Sequence, residues 1–145
     1  MTRQADGAEL RHGACHCGGV RFTVRLPREM RVGRCNCSIC SMKGAVMTGV
    51  ALDALEVTAG EDLLACYRFN TRAAKHHFCS RCGIHLFHQR RADPGQYGIN
   101  IACLAGVSPY DFAEVPVTDG INHPLDSGGR FRRVGTLRFE PAEDD

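Results

Sequence analysis

Hydrophobic and polar positions alternate most cleanly near the start of the chain, where Val20, Phe22 and Val24 are interleaved with Arg21, Thr23 and Arg25. A period of two turns one set toward a core and the other toward solvent, which predicts a half-buried β-strand. The Val, Met and Thr-rich run 45–52, the aromatic run Tyr67-Arg68-Phe69, Ile84 with Leu86, and residues 97–104 predict further strands, with another at 136–139. Gly18-Gly19, Gly44, Gly49, Gly60, Gly83, Asp119-Gly120 and Gly128-Gly129 punctuate these runs as turns or close backbone approaches. Only 38–42 and 109–113 have the pattern of short helical turns. The reading is a mostly β protein of short strands, without internal repeat or linker.

Length and composition narrow this picture. The 145 residues fit a single domain, and a chain of that size buries roughly 70% of the surface its unfolded form exposes. Residues 1–10 are polar and read as a flexible N-terminus, 11–139 as the folded domain, and 140–145 as an acidic tail. No apolar run approaches the ~20 residues that cross a bilayer, and the polar start lacks the apolar middle of an export signal. The expected location is cytoplasmic. There, an odd count of nine cysteines argues for metal ligands over a disulfide framework.

Seven of the nine fall in three clusters, Cys15-His16-Cys17, Cys35-Asn36-Cys37-Ser38-Ile39-Cys40 and Cys79-Ser80-Arg81-Cys82. Seven ligands suit four for one metal and three for another. Four thiolates close a tetrahedral zinc, whereas three protein ligands leave a position for water or substrate. In an extended segment residues i and i+2 face one side, so Cys15 and Cys17 converge with His16 turned away. In the last cluster a turn does the same, with Gly83 free to take the unusual dihedral it needs. Joining Cys15, Cys17, Cys79 and Cys82 would tie distant parts of the chain together. Counting alone leaves open a second pairing, Cys15 and Cys17 with Cys37 and Cys40.

Cys35, Cys37 and Cys40, left without a fourth partner, would hold an accessible metal suited to activating a thiol. The competing reading is a second closed site completed by Cys66, Cys103, His76, His77 or His123. An iron–sulfur cluster lacks its four-cysteine motif. Ionising seven cysteines and binding two zinc dications would bring the formal charge of +2 close to neutrality, and no basic stripe is present. Nucleic acid and membrane are therefore not expected partners.

The motifs Gly13-Ala14-Cys15-His16-Cys17-Gly18-Gly19-Val20-Arg21-Phe22, Cys35-Asn36-Cys37-Ser38-Ile39-Cys40 and Phe78-Cys79-Ser80-Arg81-Cys82-Gly83-Ile84-His85-Leu86 resemble the glutathione-dependent formaldehyde-activating enzyme family, which includes centromere protein V. The resemblance covers about 11–124. It implies a β-tent fold of short antiparallel strands with zinc knuckles. It also implies a structural zinc on Cys15, Cys17, Cys79 and Cys82, and a catalytic zinc on Cys35, Cys37 and Cys40. The implied activity is a carbon–sulfur lyase that joins glutathione, or a similar small thiol, to formaldehyde or a related aldehyde as an S-hydroxymethyl adduct. The rival implication, through centromere protein V, is a noncatalytic zinc module that binds a protein partner.

Glutathione carries two carboxylates, so Arg34, Lys43, Arg72 and Lys75 are candidates to receive it, though solvated surface charge is the simpler reading of each. His76 and His77 are candidates for a proton shuttle, a metal ligand or a donor to sulfur, and His85, His88 and His16 are read as structural. Asn36 and Ser38 read as turn formers. Cys66 and Cys103, among apolar neighbours, read as core, and Phe22, Phe69, Phe78, Phe87 and Tyr97 as packing.

Overall fold

The strand from the alternating run buries one face completely. In the computed structural model, which describes residues 8–69, 74–91, 93–122 and 132–143, it is β2 (Arg21–Pro27). Its Phe22, Val24 and Leu26 are fully buried, as is Val20 just before it, and Arg21 and Arg25 are exposed. β2 pairs with β1 (Ala8–Ala14) and β5 (Leu55–Ala59) in a three-stranded antiparallel sheet. β1 begins at Ala8 and pairs with the buried β2 along its whole length.

Five strands form the second sheet in the order β4, β9, β8, β7, β6: β4 (Met47–Ala51), β6 (Leu64–Tyr67), β7 (Lys75–Cys79), β8 (His85–Gln89) and β9 (Gln96–Asn100), all antiparallel. The third sheet places β10 (Glu114–Thr118) between β11 (Arg133–Arg138) and the two-residue β3 (Arg34–Cys35). β10 and β3 run parallel, the exception to an otherwise antiparallel fold. The expected helical turns exist as α1 (Ser38–Lys43) and a 3₁₀ turn at Pro109–Asp111. No helix among the described residues is long and apolar enough to cross a membrane.

One core lies between the sheets, with Phe22 edge-on to Phe87 at 5.9 Å and Phe87 edge-on to Tyr97 at 5.1 Å. Such pairs contribute about 1 kcal/mol each beyond area burial. Cys103 joins this packing and donates from Sγ to the His85 carbonyl at 3.6 Å, and burial pushes its thiol up to about 12. Cys66 does not join it. It lies on β6, the sheet's outer strand, and is exposed, because apolar neighbours in sequence do not decide which face of an edge strand points inward.

Gly60 holds the first and last cysteine loops together. Its φ is +80°, and a Cβ there would run into the Gly19 carbonyl oxygen, one residue beyond the first knuckle's turn. Leu63 N–H donates to the Gly60 carbonyl at 2.9 Å, and both Ser80 N–H and Ser80 Oγ donate to the Leu63 carbonyl. Gly60→Ala is expected to destabilise the metal-loaded protein by about 3 kcal/mol, from left-handed strain plus a clash with backbone that cannot yield. A denaturant midpoint equal to that of wild type would contradict this.

Candidate metal centres and their cavity

The four-sulfur cluster forms where β1 and β7 end. Cys15 follows β1, its loop closed by Gly18 N–H to the Cys15 carbonyl at 3.0 Å with Gly18 at φ +77°. Cys79 ends β7, and Gly83, at φ +79°, donates to the Cys79 carbonyl at 2.7 Å, the role its place in the motif predicted. Cys15 Sγ lies 3.6 Å from Cys17 Sγ, and Cys17 Sγ lies 3.8 Å from Cys79 Sγ. All four sulfurs, including Cys82, fall within 4.8 Å of one another. A tetrahedral zinc with Zn–S of ~2.3 Å requires sulfurs about 3.8 Å apart, so the donor set fits.

N–H groups of the two loops donate to these sulfurs. Val20 N–H donates to Cys15 Sγ at 3.3 Å, Arg81 N–H to Cys79 Sγ at 3.4 Å, and Arg81 Nε to Cys17 Sγ at 3.3 Å. The Gly19 backbone N–H, with the Arg81 guanidinium second, lowers the Cys17 thiol to about 6. His16 points to solvent between the two ligands. Of the two pairings that counting left open, the structure brings together the first and last motifs.

The three-sulfur cluster stands apart. Cys35 closes β3, Cys37 caps α1 by accepting the Cys40 N–H at 3.4 Å, and Cys40 lies within α1. Their three sulfurs also lie within 4.8 Å of one another and could hold an ion. Among the described residues no fourth ligand joins them: Cys66, Cys103, His76 and His77 are not in the group. His123 lies outside the described residues. Hydrogen bonds from Cys35 and then Cys40 hold Cys37 well below the ordinary thiol range, and the sulfurs that share their protons with it, Cys35 and Cys40, are pushed up.

A clamp from the far end of the chain closes one side of this cluster. Asn36 Oδ1 accepts from Gly120 N–H at 2.7 Å and from Ile121 N–H at 3.2 Å, and Asn36 N–H donates to the Thr118 carbonyl at 3.2 Å. Asn36 is thus a tertiary tie rather than a local turn former. Gly120 packs directly on Cys35 Sγ, where a Cβ would collide with it, and that Cβ would stand 2.8 Å from Cys37 Cβ.

All three cysteines line a cavity of about 610 Å³, within the range of small-molecule sites. Its sheet wall is a row of register partners: Gly49 on β4 faces Gly98 on β9, Gly98 faces His88 on β8, and His88 faces His76 on β7. The glycines make room, since a Cβ on Gly98 would come 2.5 Å from His88 Cε1. Arg31, Arg34, Arg90 and Arg91 also line the cavity, and no Asp or Glu does among the described residues. Arg34, for which solvated surface charge was the simpler reading, is thus part of the cavity wall. Lys75 is not part of the wall, and Arg72 lies outside the described residues.

Lys43 is not the solvated charge that its position suggested. It is half-buried, with Nζ 2.8 Å from His76 Nδ1 and 3.2 Å from His85 Nε2. A register shift on β8 lets His85 and His88, three residues apart, crowd the same ring: His77 pairs with Phe87 and the next residue, Phe78, with His85, leaving Leu86 as the extra residue. Burial lowers Lys43 to about 8 against the pull of the cysteine sulfurs. Burial first and the Lys43 charge second lower His76 to about 4, His88 to about 3 and His85 to about 2. At neutral pH the lysine carries the charge and the imidazoles are neutral.

A mostly β protein with two cysteine clusters that could each hold a metal ion, one of four sulfurs and one of three on the wall of a basic cavity, is the class this geometry defines. A family model described as glutathione-dependent formaldehyde-activating enzyme matches residues 10–115. The chain belongs to that family. It is 39% identical over 88 residues to a Halomonas elongata protein named "Putative glutathione-dependent formaldehyde-activating enzyme", a match covering 54% of this chain and 55% of that protein. The chain thus spans about half the length of that curated relative. It also resembles the crystal structure of a Rhodobacter sphaeroides protein, a structural-genomics target, at 46% identity and a TM-score of 0.71, covering 74% of this chain and 99% of that one.

Proposed function

We propose that the chain is a zinc-dependent carbon–sulfur lyase that forms or cleaves the S-hydroxymethyl adduct of a small carboxylate-bearing thiol, glutathione-like, with formaldehyde or a related aldehyde. The observation that carries this reading is the three-sulfur cluster opening onto an arginine-lined cavity without a fourth protein ligand among the described residues. Zinc on Cys35, Cys37 and Cys40 would deprotonate a thiol entering its free position. The arginines fit the thiol's carboxylates, since a guanidinium pairs with a carboxylate through two parallel hydrogen bonds. In the forward direction the sulfur electron pair forms the C–S bond, the carbonyl π pair moves to oxygen, and that oxygen gains a proton. Cleavage is the reverse.

In the same reading, Cys15, Cys17, Cys79 and Cys82 hold a second, structural zinc, and the protein works in the cytoplasm, where its nine cysteines stay out of disulfides. Zinc per chain and the exchange of glutathione with formaldehyde, followed by NMR, test the proposal. Wild type is expected to accelerate exchange, and Cys37→Ala to return it to the rate without protein while keeping the fold. Equal exchange with both proteins would overturn the lyase reading in favour of a zinc module that binds a protein partner.

A further inference from the structure

His76 is 5% exposed, lines the cavity with His88, and stacks on the His88 ring at 5.3 Å and 22°. Phe69 stacks near its other side, with centroids 5.9 Å apart. Lys43 reaches it from α1, the helix that also carries Cys40. A lysine ammonium only donates, so His76 Nδ1 accepts and the ring proton sits on Nε2. That Nε2 is buried and has no hydrogen-bond partner among the described residues. An unsatisfied buried donor carries a desolvation penalty that a ligand oxygen in the cavity would relieve. His76 lines the same cavity as Cys35, Cys37 and Cys40, so the ring and the sulfur cluster address the same space.

We propose that Lys43 and His76 form a proton relay to the aldehyde oxygen, with His76 Nε2 as the donor that touches substrate and Lys43 as the positioning group behind it. This rests on the lyase reading of the same cavity. As the C–S bond forms and the carbonyl π pair moves to oxygen, the Nε2 proton passes to that oxygen. A Lys43 proton passes to Nδ1 in the same motion, so the imidazole stays neutral and the lysine becomes an amine. The proton lost by the thiol on ionisation leaves to solvent, and solvent restores the lysine. In cleavage the hydroxyl proton returns to Nε2, the Nδ1 proton returns to the amine, and the C–S electron pair leaves with sulfur. A Lys43 held near 8 makes both its forms accessible at neutral pH.

The zinc-loaded protein, labelled with ¹⁵N-histidine, tests this by NMR without reference to turnover. His76 is expected to be protonated at Nε2 and bare at Nδ1, with Lys43→Met releasing a mixture of tautomers. The Nε2 proton is expected to shift when S-(2-hydroxyethyl)glutathione, a stable hydroxyl-bearing analogue, is added. In the exchange assay, His76→Phe and Lys43→Met are expected to slow adduct formation by on the order of 100-fold with zinc per chain unchanged. A His76 protonated at Nδ1, an Nε2 proton indifferent to the analogue, or wild-type exchange rates in these variants would overturn the relay. Should wild type itself fail to exchange, the lyase reading falls and the two NMR results alone decide for or against His76 as the donor. If His76→Phe does not fold, Lys43→Met and the wild-type spectra carry the test.

Discussion

Cys79→Ala is expected to yield a chain that does not hold its fold. Cys79 is fully buried, its N–H donates to the Ile84 carbonyl at 3.0 Å, and its sulfur stands 3.8 Å from that of Cys17, 62 positions earlier. Through that contact the loop after β1 is fastened to the loop between β7 and β8. Metal binding in small zinc domains contributes on the order of 10 kcal/mol to folding, while whole domains are stable by only about 5–15 kcal/mol. Losing one ligand therefore removes most of the margin. Soluble yield, circular dichroism and zinc per chain check the result, with Cys66→Ser as the control: that thiol is exposed on an edge strand, where substitution shifts stability by less than about 0.5 kcal/mol. Cooperative unfolding of Cys79→Ala at the wild-type midpoint would show that the four sulfurs are not the fastener.

Gly120→Ala is expected to do the opposite, sparing the fold and emptying the reactive centre. The added methyl would meet Cys35 Sγ, approach Cys37 Cβ to 2.8 Å and approach Cys37 N to 3.2 Å. None of these is the far end of a flexible side chain, and Asn36 holds the Gly120 and Ile121 N–H groups in place, so the loop cannot back away freely. Overpacking of this kind destabilises by about 1–3 kcal/mol, which the domain tolerates, but the displaced Cys35 no longer converges with Cys37 and Cys40. Zinc per chain should fall to half the wild-type value, with exchange lost and the circular dichroism retained. Full zinc content with normal exchange would mean that Gly120 does not set the cluster's geometry.

The sequence made the cysteine clusters legible because the cysteines within each motif are local. Two or three residues of spacing determine whether sulfurs converge, and Gly83 following Cys82 even signalled the turn. β2 was equally plain, since a strand buried on one face writes its alternation directly. β7 was not: Lys75-His76-His77-Phe78-Cys79 has no clean apolar period, because its cavity face carries a histidine instead of a hydrophobe. β10 contains Pro116, which argues against an interior strand. The structure accommodates it because β3 pairs only with Val117 and Thr118.

The cavity was hidden for a related reason. The row Gly49, Gly98, His88, His76 exists only once four strands take their register, and no member of it is unusual in its own stretch of sequence. Gly49 reads only as a punctuation mark, His88 as structural, and His76 as a candidate for proton transfer or metal binding with no hint of its neighbours in the row. The tie between Asn36 and Gly120 spans 84 positions, and Lys43 reads as an ordinary surface lysine until α1 is docked against β7. Cys66 shows the converse error, in which an apolar neighbourhood suggested burial that an edge strand does not provide.

β7 carries both Cys79, at its sulfur-bound end, and His76, three residues upstream on the cavity wall. A one-residue slide of that strand would turn every side chain on it to the opposite face, sending the imidazole away from the sulfur cluster and away from Lys43. The buried Cys79 thus acts as an alignment pin for a cavity wall it never touches, and the two cysteine clusters, separate in space, share one mechanical axis.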